Sequence, residues 1–132
     1  MNQKDLSLFL VLQFLAIAWA GAVFSLIEAK LLAGALAGSY FVLSGLFMVS
    51  RSFKWLDKWK SLAWYPLVAH VFLISIPMVV SRFWQWSQGF EQVKILGLPG
   101  PIFHQLSSVV FMALIVGTAI DKIRLGLKAR GH

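Results

Sequence analysis

The sequence predicts an all-α integral membrane protein: four transmembrane helices in an antiparallel bundle, both termini cytoplasmic, with a short interfacial helix between the third and fourth. Three observations predict it. The chain of 132 residues is 59% hydrophobic and 13% charged, with a mean hydropathy of +0.78, whereas soluble domains carry about 25% charged residues. The charges cluster, leaving long stretches without any. Lysine and arginine also divide unevenly between the two sets of loops.

The apolar segments fall at about 6–28, 31–50, 62–81 and 101–122. Each is close to the ~20 residues that carry a helix across a hydrocarbon core of about 30 Å. A lone strand would leave its backbone polar groups unpaired in lipid, so helices are required. Residues 1–132 read as a single four-helix membrane domain, with no internal repeat or low-complexity tract.

Orientation follows from the basic residues. With the N-terminus inside, the inner side holds nine: Lys4, Arg51, Lys54, Lys58, Lys60, Lys122, Arg124, Lys128 and Arg130. The outer side holds three: Lys30, Arg82 and Lys94. The positive-inside rule then places both termini in the cytoplasm and the chain, as a multi-pass protein, in the inner (plasma) membrane. Ala18-Trp19-Ala20 resembles a signal-peptide cleavage site. Only one lysine, beside Asp5, precedes the apolar run, and the run continues to Ile27, so an uncleaved helix is expected.

The connections differ in character. "EAK" at 28–30 makes a tight hairpin of the first two helices. The loop "RSFKWLDKWKS" at 51–61 interleaves Lys54 and Lys58 with Trp55 and Trp59. Tryptophan belongs at headgroup depth and lysine reaches lipid phosphate, so these four are expected to anchor the chain at the interface, as are Trp84 and Trp86 on the other side. In "RFWQWSQGFEQVKILG", Phe83, Trp86, Phe90 and Val93 form one apolar stripe, which predicts a surface helix over 83–97 that Gly89 weakens. Pro99 and Pro101 then hold the chain out of helix before re-entry, with Gly100 suited to the N-cap and Pro101 to the first helical position.

Lipid supplies no hydrophobic drive between helices, so small residues that let backbones approach are expected to matter. These are Gly34 and Gly38 in the second segment and Ala113 and Gly117 in the fourth. Packing within the protomer is the default use, and homodimerisation the alternative. Pro77, interior to the third segment, removes the hydrogen bond to the Leu73 carbonyl and predicts a kink.

Buried polar residues are costly in lipid, so each is a candidate site. Counted from the inner ends at 1.5 Å per residue, Gln13 lies about 10 Å deep, His70 about 12 Å and Ser44 about 9 Å, with Tyr40 slightly deeper. These four are expected to meet in the inner half, either to hydrogen-bond one another or to carry a proton or substrate. Glu28, Arg82, His104 and Gln105 form an expected outer-rim cluster, in which Glu28 pairs with Arg82 or His104. By the same count His70 and His104 differ in depth by roughly 13 Å, which is too far for one iron.

Several function classes are excluded or disfavoured. The chain has no cysteine, so disulfides, thiolate metal sites and cysteine nucleophiles are absent. No P-loop, zinc spacing, dinucleotide fingerprint or nucleophile motif occurs. No metal or cofactor is expected. The net charge of +7 sits in loops and tail beside apolar runs, which points to the bilayer and its anionic lipids rather than to nucleic acid. The reading that remains is a non-catalytic assembly or accessory subunit with a membrane-protein partner or as a homo-oligomer. A small oligomeric transporter or channel with a polar path near His70 is the alternative. A haem- or quinone-binding redox subunit is the third.

Overall fold

The computed structural model describes residues 3–28, 30–84, 94–95 and 97–130. Four long helices dominate: α1 (Gln3–Leu26), α2 (Lys30–Phe53), α3 (Trp64–Trp84) and α4 (Gly100–Arg130). All four are long and apolar enough to cross a membrane. Large apolar side chains stay exposed along each, among them Phe14, Leu43, Leu73 and Val109. An outer surface of that kind suits hydrocarbon and would drive aggregation in water.

Each helix packs on the two beside it in a closed order: α1 on α2 and α4, and α3 on α2 and α4. Leu6, Phe9, Met48, Ala63, Leu67 and Leu114 form the main core, toward the end of the molecule that holds both Gln3 and Lys122. We call this the terminal end. Phe9 stacks on Trp55 there, ring centroids 5.5 Å apart. Trp19 and Tyr40 tie α1 to α2: Trp19 Nε1 donates to the Leu36 carbonyl at 3.3 Å, and the Tyr40 hydroxyl to the Leu12 carbonyl at 3.1 Å.

Helix boundaries depart from hydropathy at two places. α3 begins at Trp64 rather than Leu62, because the Leu62 and Ala63 amides are held by a side chain of α4. α4 runs to Arg130, eight residues past its apolar stretch, since the i→i−4 ladder continues through Lys122, Arg124 and Lys128 once the apolar run has ended.

Within α3, His70–Ser75 is a π-helical segment that ends two residues before Pro77. Proline has no N–H and its ring crowds the carbonyl four residues back. A local π turn re-routes the carbonyls that the proline leaves without a donor. Pro77 therefore acts through a change of helix type over the preceding turn.

The expected surface helix over 83–97 falls largely outside the described residues. Its described ends are not one helix: Phe83 and Trp84 finish α3, while Lys94–Ile95 (β1) pairs antiparallel with Leu98–Pro99 (β2). Gly97 makes this turn possible with φ +83°, the left-handed region that side chains resist. The hairpin buries Ile95 completely against Ile74 and Phe103. Gly100 and Pro101 then open α4.

Candidate functional site

Among the described residues, fully or mostly buried polar side chains at Asp121, Asp5, Gln13 and His70 connect one helix to another. The most heavily bonded is Asp121 of α4, whose residue is fully buried. Its Oδ2 accepts from the Ser61 hydroxyl at 2.6 Å and the Ala63 amide at 2.9 Å, and its Oδ1 from the Leu62 amide at 3.0 Å. Ser61 Oγ in turn accepts from the Ala63 and Trp64 amides, each at 3.2 Å. The first N–H groups of a helix have no partner inside it, and their positive end favours an anion. Asp121 thus holds, from a different helix, the Leu62–Ala63 turn that leads into α3, while Ser61 Oγ takes the first helical amide, that of Trp64. Gly117, one turn earlier on α4, allows the approach: a Cβ there would lie 2.7 Å from the Leu62 carbonyl oxygen.

Asp5 joins α1 to the end of α2. Arg51 Nε reaches its Oδ1 at 3.0 Å, and Trp55 Nε1 donates to its Oδ2 at 3.1 Å. The Arg51 side chain is about half exposed, so the ion pair itself adds little and the geometry matters more. This corrects one expectation. Trp55 is buried against Phe9 with its indole N–H bonded inside the protein, so it does not face outward. Trp59 and Trp84 are exposed, as are Lys54 and the tip of its loop at Leu56, whereas Lys58 is half-buried. Trp86 lies outside the described residues.

Gln13 is completely buried between α1 and α4. Its Nε2 donates to Thr118 Oγ1 at 3.0 Å and approaches Met48 Sδ at 3.9 Å, while its Oε1 has no partner. Thr118 passes its own proton to the Leu114 carbonyl at 2.7 Å. Membrane hydrogen bonds of this kind are worth roughly 0.6 kcal/mol on average, and the orphaned carbonyl offsets even that. Gln13→Leu is expected to change stability by less than about 1 kcal/mol in either direction, which unfolding in mixed micelles followed by tryptophan fluorescence would measure.

His70 sits in the π segment, its ring 5.7 Å from that of Phe41 and 5.2 Å from that of Phe111. Nδ1 shares a proton position with Ser75 Oγ at 3.0 Å, and Nε2 with Ser107 Oγ of α4 at 3.4 Å. A neutral imidazole donates from one nitrogen and accepts at the other, so both serines are used.

The expected inner-half cluster is not assembled: none of Gln13, Tyr40, Ser44 and His70 hydrogen-bonds another. Gln13 turns to Thr118, Tyr40 to a carbonyl of α1, His70 to Ser75 and Ser107, and Ser44 to the Phe41 carbonyl of its own helix at 3.5 Å. Depth was countable from sequence, but the direction each side chain takes around its helix was not. The outer-rim residues lie on or beside three elements. Glu28 is exposed just past α1, His104 and Gln105 are exposed on α4, and Arg82 near the end of α3 and His104 each have an interaction of their own. His70 and His104 are also nearer in depth than end-counting gives, since His70 reaches Ser107, three residues from His104. End-counting treats all helices as upright from a common plane. Among the described residues no group of three His, Cys, Asp or Glu side chains converges.

The small residues divide. Gly34 and Gly38 face Arg82 and Val79 of α3, and Gly45 faces Val71. Gly117 is buried but Ala113, four residues before it, is exposed. The fourth-segment pair is therefore not one packing surface. Asp5 and Asp121 were not singled out from sequence. The available signal was placement: two of only five acidic residues border apolar runs on the side richest in lysine and arginine.

Comparison with known protein families, curated proteins and solved structures finds no match. The class is therefore carried by the chain itself: four apolar helices of spanning length, as in a multi-pass membrane protein.

Proposed function

We propose that this chain is an antiparallel four-helix bundle of the inner membrane, both termini cytoplasmic, that serves as a non-catalytic assembly or accessory subunit. One observation supports the reading above the rest. The interior polar groups connect helix to helix: Asp5 joins α1 to α2, Gln13 joins α1 to α4, Asp121 joins α4 to the head of α3, and His70 joins α3 to α4. Polar groups engaged in this way build a rigid body. A transport path would instead line them along one continuous route, and Gln13, Tyr40, Ser44 and His70 make no such chain.

The nine-to-three division of basic residues supports the orientation. Reporter fusions at residue 130 and within 85–93 should report opposite sides, with the C-terminal fusion cytoplasmic. Gentle purification into nanodiscs, with the intact mass measured, tests the function. A mass above that of one protomer, from a partner or further copies, is expected, and His70→Ala should leave it unchanged. A lone protomer whose solute flux in proteoliposomes is abolished by His70→Leu would sink the accessory reading in favour of a transporter.

A further inference from the structure

We propose that the face of α3 at the terminal end is a binding site for one anionic phospholipid, with an acyl chain along the helix and the phosphate at Lys58. The site rests on the membrane-spanning reading of the chain.

A groove of about 420 Å³ runs down the outside of α3, within the range of about 300–1,000 Å³ usual for small-ligand sites. Its upper part is aromatic, formed by Trp59, Trp64 and Tyr65, and its lower part is aliphatic and phenyl, ending at Phe72 and Leu73. From Tyr65 to Leu73 the helix rises about 12 Å, most of one leaflet's ~15 Å share of the hydrocarbon core. The groove's order of aromatic mouth and apolar floor matches a lipid entering from the headgroup region.

Charge selects the headgroup. The Lys58 ammonium lies 5.2 Å from the centroid of the Phe53 ring and 5.6 Å from that of Trp59. Those rings contact Trp64 at 6.4 and 6.3 Å, so the cation is held at the aromatic mouth. The Tyr65 hydroxyl donates to the Trp59 carbonyl at 2.7 Å, which pins the Lys58–Lys60 turn over the first turn of α3. Asp57, in the same loop, already has an interaction of its own. Lys60, exposed in the same Lys58–Lys60 turn, adds a second positive charge to that loop. A phosphate at this depth meets a fixed cation that zwitterionic lipid, carrying its own ammonium, uses less well.

The test is native mass spectrometry of the full chain released from detergent, after incubation with phosphatidylglycerol or phosphatidylcholine of matched acyl chains. Wild type is expected to keep phosphatidylglycerol preferentially. Lys58→Gln should cut that retention roughly fivefold, the effect of one basic residue at the surface, and leave phosphatidylcholine unchanged. Ala69→Phe, which fills the groove floor, should reduce both lipids. Circular dichroism and the melting temperature report that each variant is folded. Equal retention of the two lipids by wild type, or loss of neither on Lys58→Gln and Ala69→Phe, overturns the site alone. A chain that stays monodisperse in buffer without detergent overturns the membrane reading and the site with it.

Discussion

Asp121→Ala is expected to destabilise the protein by about 3 kcal/mol. The carboxylate accepts three hydrogen bonds from Ser61, Leu62 and Ala63 in a fully buried position. Alanine leaves the Leu62 amide without its acceptor and the Ser61 hydroxyl without a receiver for its proton, while Ala63 retains Ser61 Oγ at 3.2 Å. A buried orphan such as the Ser61 hydroxyl costs about 1–3 kcal/mol, and the part-buried Leu62 amide adds less. Asp121→Asn keeps one acceptor oxygen but turns an N–H₂ toward the remaining donor, so a loss of about half that size is expected. The ion pair is not the cause. Arg124 NH1 lies 4.0 Å away on a side chain 55% exposed, and Arg124→Gln should cost less than about 1 kcal/mol. Unfolding curves in mixed micelles check all three. Equal losses for Arg124→Gln and Asp121→Ala would show that charge, not hydrogen bonding, holds the turn before α3.

Gly117→Ala is expected to cost up to about 3 kcal/mol, at the upper end for overpacking by one methyl group. The added Cβ would sit 2.7 Å from Leu62 O, 2.9 Å from Leu62 C and 3.2 Å from Ala63 N. All three are backbone atoms, which do not swing aside as a side chain does. α4 must retreat, and in retreating it draws Asp121, one turn on, away from the amides it holds. The two substitutions therefore remove one shared contact, and the double variant should lose less than the sum of the singles. Gly21→Ala is the control: nothing lies within 4 Å of its Cβ position, so it should be neutral or gain up to about 1 kcal/mol from helix propensity. A Gly117→Ala melting temperature indistinguishable from wild type would show that α4 and the Leu62–Ala63 turn are not in close register.

The four helices were legible because burial in an apolar medium demands long runs such as those before Ile27 and Ser50, and a run is a local property. Pro77 announced a disturbance of α3, though not its form, since re-routing carbonyls through a π turn depends on what the neighbouring turns can accommodate. Trp55 read as an outward anchor because its neighbours are lysines, yet Asp5, fifty residues earlier, draws its indole inward. Ile95 and Gly97 carried a hairpin that two-residue strands make too short to see as alternation.

The sequence by itself determined the class: four apolar runs long enough to cross a hydrocarbon core are a local property of the chain. Only the tertiary structure decided what the polar residues do. Whether Gln13 meets His70 or Thr118, and whether Asp121 is a solvated tail residue or the acceptor for the turn before another helix, depends on the angle of each side chain about its axis and on which helix lies there. The amides of Leu62 and Ala63 need an acceptor wherever they are buried. That it comes from a carboxylate nearly sixty residues away is a property of the packed helices, and Gly117 is the residue that lets them pack so closely.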